Sequence, residues 1–227
     1  MTTIDIGLPT LDNMDAAMES AGFTVERRTI NDTEISFYSW DGDFDNGMIL
    51  EYNYDSGITY YLRCWHYRNG SQLSQVYNLG FGGNTAYKLN YESLANGGIA
   101  MGYSSTSDVV YHFVWVAPKT AGDGWFGIPL VSNNYNWYIY DYGDEKQIQI
   151  NQNTIYNISS IGAYSDDVQI VQVYNGRRFA DNLYIALLHP RIDLARVVRA
   201  TIGDNQFLLW NHYADSPYIV FAFELPS

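Results

Sequence analysis

The sequence predicts a mainly β protein: an antiparallel β-sandwich or barrel-like fold with one short N-terminal helix. Three observations carry that reading. Apolar and polar residues alternate with a period of two from Phe23 onward, the alternating runs are separated by clusters of Asn, Asp and Gly, and aromatic residues make up 16% of the 227-residue chain. Hydrophobic residues at 47% against charged residues at 16% exclude a disordered chain or a coiled coil. The length is enough to bury a core without disulfides or metal staples.

The helix is expected over Leu11 to Ala21. Thr10 can cap it, Asp12 and Asp15 sit in its first turn where negative charge suits the helix dipole, and Gly22 can stop it. Leu11, Met14 and Met18 fall on one face, which is read as core packing.

Four strands are expected next, at Phe23–Arg28, Glu34–Trp40, Met48–Tyr54 and Ile58–Arg68. Their separators, Asn31-Asp32, Asp43 to Gly47, Asp55-Ser56-Gly57 and Asn69-Gly70, carry the chemistry of tight antiparallel reversals, so the simplest arrangement is a meander. The glycines Gly80, Gly82 and Gly83 interrupt the pattern and suggest a division into residues 1–83, helix plus meander, and 84–227, a larger β-sandwich region, with a single domain throughout as the alternative. Gly97, Gly98 and Gly102 precede the longest apolar strand, Val109–Ala117. Further strands are expected at Trp125–Val131, Trp137–Tyr142, Gln147–Ile150, Val168–Tyr174, Leu183–Leu188, Gln206–Trp210 and Tyr218–Leu225. The stretch Arg191–Ala200 fits helix and strand patterns about equally, and no repeat of solenoid or propeller length occurs.

Formal net charge is −13 with only 12 Lys plus Arg, which argues against nucleic acid and against anionic membrane surfaces as partners. The basic clusters Arg27-Arg28, Arg177-Arg178 and Arg191, Arg196, Arg199 read as salt-bridge partners. The opening Met-Thr-Thr-Ile-Asp-Ile-Gly has neither a basic nor an apolar signal region, and no apolar stretch is long enough to span a bilayer as a helix. The expectation is a soluble protein made in a cytoplasm, with no membrane insertion. Cys64, the one cysteine, reads as a packed thiol in an aromatic strand.

The sharpest local motif is Asp41-Gly-Asp43-Phe-Asp45-Asn46-Gly47, which spaces three carboxylates as a calcium loop spaces its oxygen ligands. Its glycine is one place late for an EF-hand, and Asp, Asn and Gly favour turns without any metal, so a plain β-turn is the first reading and a cation at Asp41, Asp43 and Asp45 the second. The four histidines, His66, His112, His189 and His212, are far apart and show no zinc spacing. There is no nucleophile elbow, no Cys-His signature, no phosphate loop and no dinucleotide fingerprint. Asp141, Asp144, Glu145, Asp166 and Asp167 supply carboxylate pairs of the kind glycoside hydrolysis uses, as any acidic protein does. The expectation is a non-enzyme with no catalytic residues and no cofactor.

More informative are the aromatics, 21 Tyr and 6 Trp, concentrated in Tyr60–Tyr67 and Tyr135–Tyr140. Trp65, Trp125, Trp137, Tyr138, Tyr140 and Trp210 are the candidate contact residues, able to stack on sugars or to anchor a protein interface.

Two segments carry a resemblance. From Gly97 onward, the strand ending near a lysine (Tyr111 to Lys119) leads into Trp125-Phe-Gly127-Ile-Pro129-Leu130. Later, Val173-Tyr174-Asn175-Gly176-Arg177-Arg178-Phe179-Ala180-Asp181-Asn182-Leu183-Tyr184 is followed by Pro190 and a final aromatic strand. In both, the chain resembles virion structural proteins of tailed bacteriophages, and the tail-associated type is the one expected. The resemblance implies a virion component of the baseplate, tail tip or neck, assembled in the host cytoplasm, contacting other virion proteins and forming a homo-oligomer or symmetric array. Two other roles are expected as alternatives: a carbohydrate- or receptor-binding module for host surface glycans, and a capsid decoration or head-fibre protein. A polysaccharide hydrolase would need two close carboxylates in a groove.

Overall fold

A computed structural model of the chain describes residues 2–55, 59–95, 97–104, 111–118, 125–129, 135–141, 146–150, 164–165, 168–174, 179–188, 197–210 and 219–227. Side chains are described for most positions up to residue 100 and for a smaller set beyond.

The protein is mainly β and antiparallel, with one short helix. The chain starts with β1 (Thr2–Gly7) and α1 (Leu11–Ser20). A meander of β2 (Thr24–Ile30), β3 (Thr33–Ser39), β4 (Gly47–Asp55), β5 (Thr59–Arg68) and β6 (Ser71–Gly82) forms a five-stranded sheet in that order. Next come β7 (Tyr87–Leu94), β8 (Gly97–Ser104), β9 (Tyr111–Pro118), β10 (Trp125–Pro129), β11 (Tyr135–Asp141) and β12 (Lys146–Ile150), which with β1 at one edge make a seven-stranded sheet. The remainder is β13 (Tyr164–Ser165), β14 (Val168–Tyr174), β15 (Phe179–Leu188), β16 (Val197–Ile202), β17 (Asn205–Trp210) and β18 (Ile219–Glu224), in a six-stranded sheet ordered β13-β14-β15-β18-β17-β16. Each described sheet has two ends, so none closes into a barrel.

Helix α1 forms where its ends are chemically defined. The Thr10 side chain accepts a hydrogen bond from the Asn13 N–H at 3.2 Å. At the other end Gly22 takes φ +90°, Phe23 N–H bonds to Met18 C=O and Gly22 N–H to Glu19 C=O, the paired bonds of a Schellman motif. Hairpin turns follow the same local logic. Asn31-Asp32 and Asn69-Gly70 have positive φ at both central residues and join Ile30 to Thr33 and Arg68 to Ser71.

The core lies between α1, the five-stranded sheet and the first strands of the seven-stranded sheet. Met14, Ala17 and Met18 of the helix pack with Tyr38, Leu50, Tyr52, Leu62 and Cys64, and with Tyr87, Leu89, Ala100 and Trp115 from the other sheet. One cluster therefore runs across residue 83, where the glycines suggest a division. Two of those glycines are strand positions, Gly80 and Gly82 in β6, with Gly83 in the turn after it; Gly80 sits opposite Tyr61, whose ring leaves room for no more than ordinary contact. Gly98 lies inside β8 for a stronger reason. A Cβ there would come within 2.4 Å of the Trp40 ring. Trp40 meets Phe23 edge-on at 5.1 Å, and Phe23 stacks on Trp115 at 4.7 Å, so this aromatic chain locks the two sheets together at a point only glycine permits.

Strands β1, β6, β7, β8 and β13 are absent from the sequence expectation. β1 pairs with β7, more than eighty residues on, in a register from Thr2 opposite Tyr91 to Gly7 opposite Tyr87; six residues carry too little periodicity to announce a partner at that distance. The ambiguous stretch Arg191–Ala200 resolves at its end, where β16 pairs residue by residue with β17; residues 191–196 lie outside the described ones. The six-stranded sheet is tied to the seven-stranded one by the Ala95 N–H to Glu224 C=O bond at 3.1 Å and by the ion pair of Arg199 with Glu92.

Candidate functional site: the outer face of the five-stranded sheet

Strand β4 is buried on both sides, from Met48 to Asn53 without interruption. Its even-numbered residues face the core. The odd-numbered ones face away from it and belong to a second, smaller cluster: Ile35, Phe37, Ile49 and Tyr67 are buried, with Phe44 and Trp65 packed against them. Register builds this outer face row by row. Ile35, Asn53 and Tyr61 line up across β3, β4 and β5, as do Phe37, Glu51 and Arg63, and Ile49 stands opposite Trp65.

Charge on this face is paired and laid over rings. Arg63 bonds Glu51 at 3.0 Å and lies over the Tyr61 ring at 5.6 Å. Arg28 bonds Glu26 at 2.6 Å and lies over the Phe37 ring at 4.7 Å. Burial, with Glu51 nearby, raises the Tyr67 phenol above its ordinary range, while the bond from Arg28 holds the Glu26 carboxyl below its own. Two polar atoms on the face are buried with no hydrogen-bond partner among the described residues: Asn53 Oδ1 and Trp65 Nε1.

Trp65 is thus the sequence candidate that the structure places in a defined aromatic setting. Trp125 in β10, Trp137, Tyr138 and Tyr140 in β11, and Trp210 in β17 have described backbones, but their side chains lie outside the described ones. The register sets Trp125 opposite Ile139, Gly127 opposite Trp137, Phe126 opposite Tyr138 and Gln147 opposite Tyr140. Trp137 is out of phase with Tyr138 and Tyr140 along β11, so that strand does not carry the three on one face. Trp210 pairs with Val197 on one side and Phe221 on the other, in a different sheet from Trp65.

In the loop at Asp41, Asp43 and Asp45, the first two carboxylates bond within the loop and its flank. Asp41 Oδ1 accepts from the Asp43 N–H at 3.0 Å and from Ser39 Oγ at 2.9 Å. Asp43 Oδ1 accepts from the N–H groups of Asp45 and Asn46, and its other oxygen from the Asn46 side chain at 3.0 Å. Burial alone would raise the Asp43 carboxyl, but these donors outweigh it and hold it below the ordinary carboxylate value. No group of three or more His, Cys, Asp or Glu placed to hold a metal occurs among the described residues. The arrangement is that of the turn reading. Asn46 and Asp45 also clasp the next hairpin, through the Asn69 and Gly70 N–H groups.

His66 is a buried β5 residue on the core side, and burial, assisted by Arg68, lowers its pKa to about 4. Cys64 is fully buried and its thiol is pushed up by that burial, in keeping with a packed, unreactive sulfur. Arg27 and Arg28 are ion-paired, as expected of them. His189, His212, Asp144, Glu145, Asp166, Asp167, Arg177, Arg178, Arg191 and Arg196 lie outside the described residues, and the side chains of His112 and Asp141 do too.

Sequence reasoning missed Phe37, Glu51, Asn53 and Arg63 as parts of this face. The available signal was in β4 itself: Met-Ile-Leu-Glu-Tyr-Asn-Tyr is apolar at consecutive positions, which marks a strand covered on both sides, and Glu51 and Asn53 fall in one phase of it. Compared with known proteins, the chain matches no family model, no curated protein and no solved structure at a significant level.

Proposed function

We propose that this chain is a structural component of a tailed-bacteriophage virion, tail-associated, that works by protein–protein assembly contacts and not by turnover. The observation that carries the reading is the outer face of the five-stranded sheet. It groups Trp65, Tyr67, Phe37 and Phe44 with two arginines, the residue types that dominate interface hot spots. The two segments that resemble virion proteins supply the setting.

Mass spectrometry of purified virions tests the role: the chain is expected at a stoichiometry that matches a symmetric component, and its absence from infectious particles overturns the reading. Labelling with an antibody in electron microscopy separates tail from head, where signal on the capsid would indicate a decoration or head-fibre protein instead.

A second reading, recognition of a host surface glycan, is favoured by the adjacency of the Trp65 and Tyr67 rings to the Glu51–Arg63 pair, an aromatic platform with polar groups at its side. A glycan array read with the wild type and with Trp65→Ala decides it. Binding that Trp65→Ala abolishes would favour the glycan, and an empty array removes it.

A further inference from the structure

Strand β2 ends the five-stranded sheet, and no described strand lies on its free edge. The turn to β3 tells which backbone groups face that edge. Asn31 and Asp32 have φ of 51° and 62° and join Ile30 directly to Thr33, the two-residue reversal whose flanking pair is hydrogen-bonded. Alternation from that pair commits the N–H and C=O groups of Thr24, Glu26, Arg28 and Ile30 to β3 and turns those of Val25, Arg27 and Thr29 outward. An edge of this kind is a template for another strand, and proteins guard it with charge. Here the charge has a pattern.

We propose that β2 pairs antiparallel with β2 of a second copy of this chain, about a two-fold axis at Arg27, so that two five-stranded sheets become one continuous sheet. In that register the outward groups of Arg27 meet those of the other copy's Arg27, and Val25 meets Thr29 in both directions. Glu26 then stands opposite Arg28 of the other copy, twice, at the closely spaced positions where side chains interact most. Thr24 stands opposite Ile30, and Thr24, Thr29 and Ile30 are exposed. Moving the axis by one residue keeps the backbone groups matched but sets Glu26 against Glu26 or Arg28 against Arg28, and moving it further shortens the paired length, so charge and length together select the register at Arg27. The central Arg27 residues do not simply repel: each guanidinium is bound by Asp12 at 2.8 Å and by Asp15. Glu26 and Arg28 are already bonded at 2.6 Å within a copy, and pairing lays two such ion pairs side by side with alternating sign. A net charge of −13 keeps copies apart in other approaches, whereas β2 holds two arginines against one glutamate. The inference is independent of the role proposed above.

Sedimentation of the full chain over a concentration series tests it. The wild type is expected to pass reversibly from monomer to dimer, doubling its mass. Glu26→Arg alone and Arg28→Glu alone are each expected to stay monomeric, and an equimolar mixture of those two variants to dimerise, because arginines of one then face glutamates of the other. Thr29→Pro removes an outward N–H without touching a bond to β3 and is expected to stay monomeric with an unchanged far-UV spectrum, which separates loss of pairing from loss of fold. A wild type that is monomeric throughout, single variants that dimerise like it, or a mixture that stays monomeric overturns the proposal.

Discussion

Toward the core, Asp15 and Tyr52 gather polar groups of the five-stranded sheet into closed hydrogen bonds; away from it, the charges are paired but Asn53 and Trp65 hold buried atoms without a match. On the inner side Asp15 of α1 is a buried carboxylate that accepts from Arg27 Nε at 3.1 Å, Ser36 Oγ at 3.0 Å and Tyr38 Oη at 2.9 Å, and Tyr52 Oη donates to the Pro9 carbonyl at 2.6 Å. Burial raises the Tyr38 and Tyr52 phenols far above their ordinary range, and the Asp15 carboxylate adds to the shift at Tyr38, so both stay protonated and donating. On the outer side the same strands hold Asn53 and Trp65 with buried atoms unmatched among the described residues. Alternate residues of one strand thus serve two purposes, and the difference lies in what covers them: a helix and a second sheet on one side, and only their own rings and arginines among the described residues on the other.

The largest test of that contrast is removal of one carboxylate from each face. Asp15→Ala takes the acceptor from the buried Ser36 and Tyr38 hydroxyls and leaves Arg27 with Asp12 alone, and is expected to cost about 2–4 kcal/mol in urea unfolding. Glu51→Ala breaks an ion pair in which the carboxylate is buried but Arg63 keeps 24% of its side chain exposed and can turn to water, and is expected to cost about 1–2 kcal/mol. Equal losses would erase the contrast.

Next in size is a pH effect from the inner side. His66 has a folded-state pKa of about 4 against an ordinary value of 6.5, so the unfolded chain takes up the proton first. Its contribution to stability is complete above pH 6.5 and is lost as pH falls toward 4, by roughly 3 kcal/mol in all. Urea unfolding between pH 7 and 5 is expected to show a slope that His66→Leu flattens; an unchanged slope in the variant would place the titration elsewhere.

Smaller again is a pair of glycine substitutions. Gly98→Ala drives a methyl into Trp40 and is expected to cost about 1–3 kcal/mol. Gly80→Ala on the outer face meets Thr59 at 3.4 Å and Tyr61 at 3.7 Å, and is expected to leave the melting temperature unchanged or raise it, since alanine restricts the unfolded chain. The smallest effect is Thr10→Ala, which removes the cap of the helix that seals the inner face and is expected to cost about 1 kcal/mol in the same measurement. Loss of cooperativity in that variant would mean the helix is more central to the core than its contacts indicate.

Features that form within a few residues were set locally. The cap at Thr10, the glycine stop at Gly22, the hairpins at Asn31-Asp32 and Asn69-Gly70, and the period of two that makes the protein mainly β are all set by local backbone preference and side-chain alternation. Within that reach, Met14 and Met18 were legible as core and Cys64 as a packed thiol. Tertiary structure decided the rest because it depends on partners far along the chain. Strand β1 finds β7, Gly98 makes room for Trp40, and Asp15 becomes a buried hub only once Arg27, Ser36 and Tyr38 are folded against it. The outer face belongs to the same class: Phe37, Glu51, Arg63 and Trp65 come from three strands, and it is register, fixed by turns and burial together, that makes one surface of them.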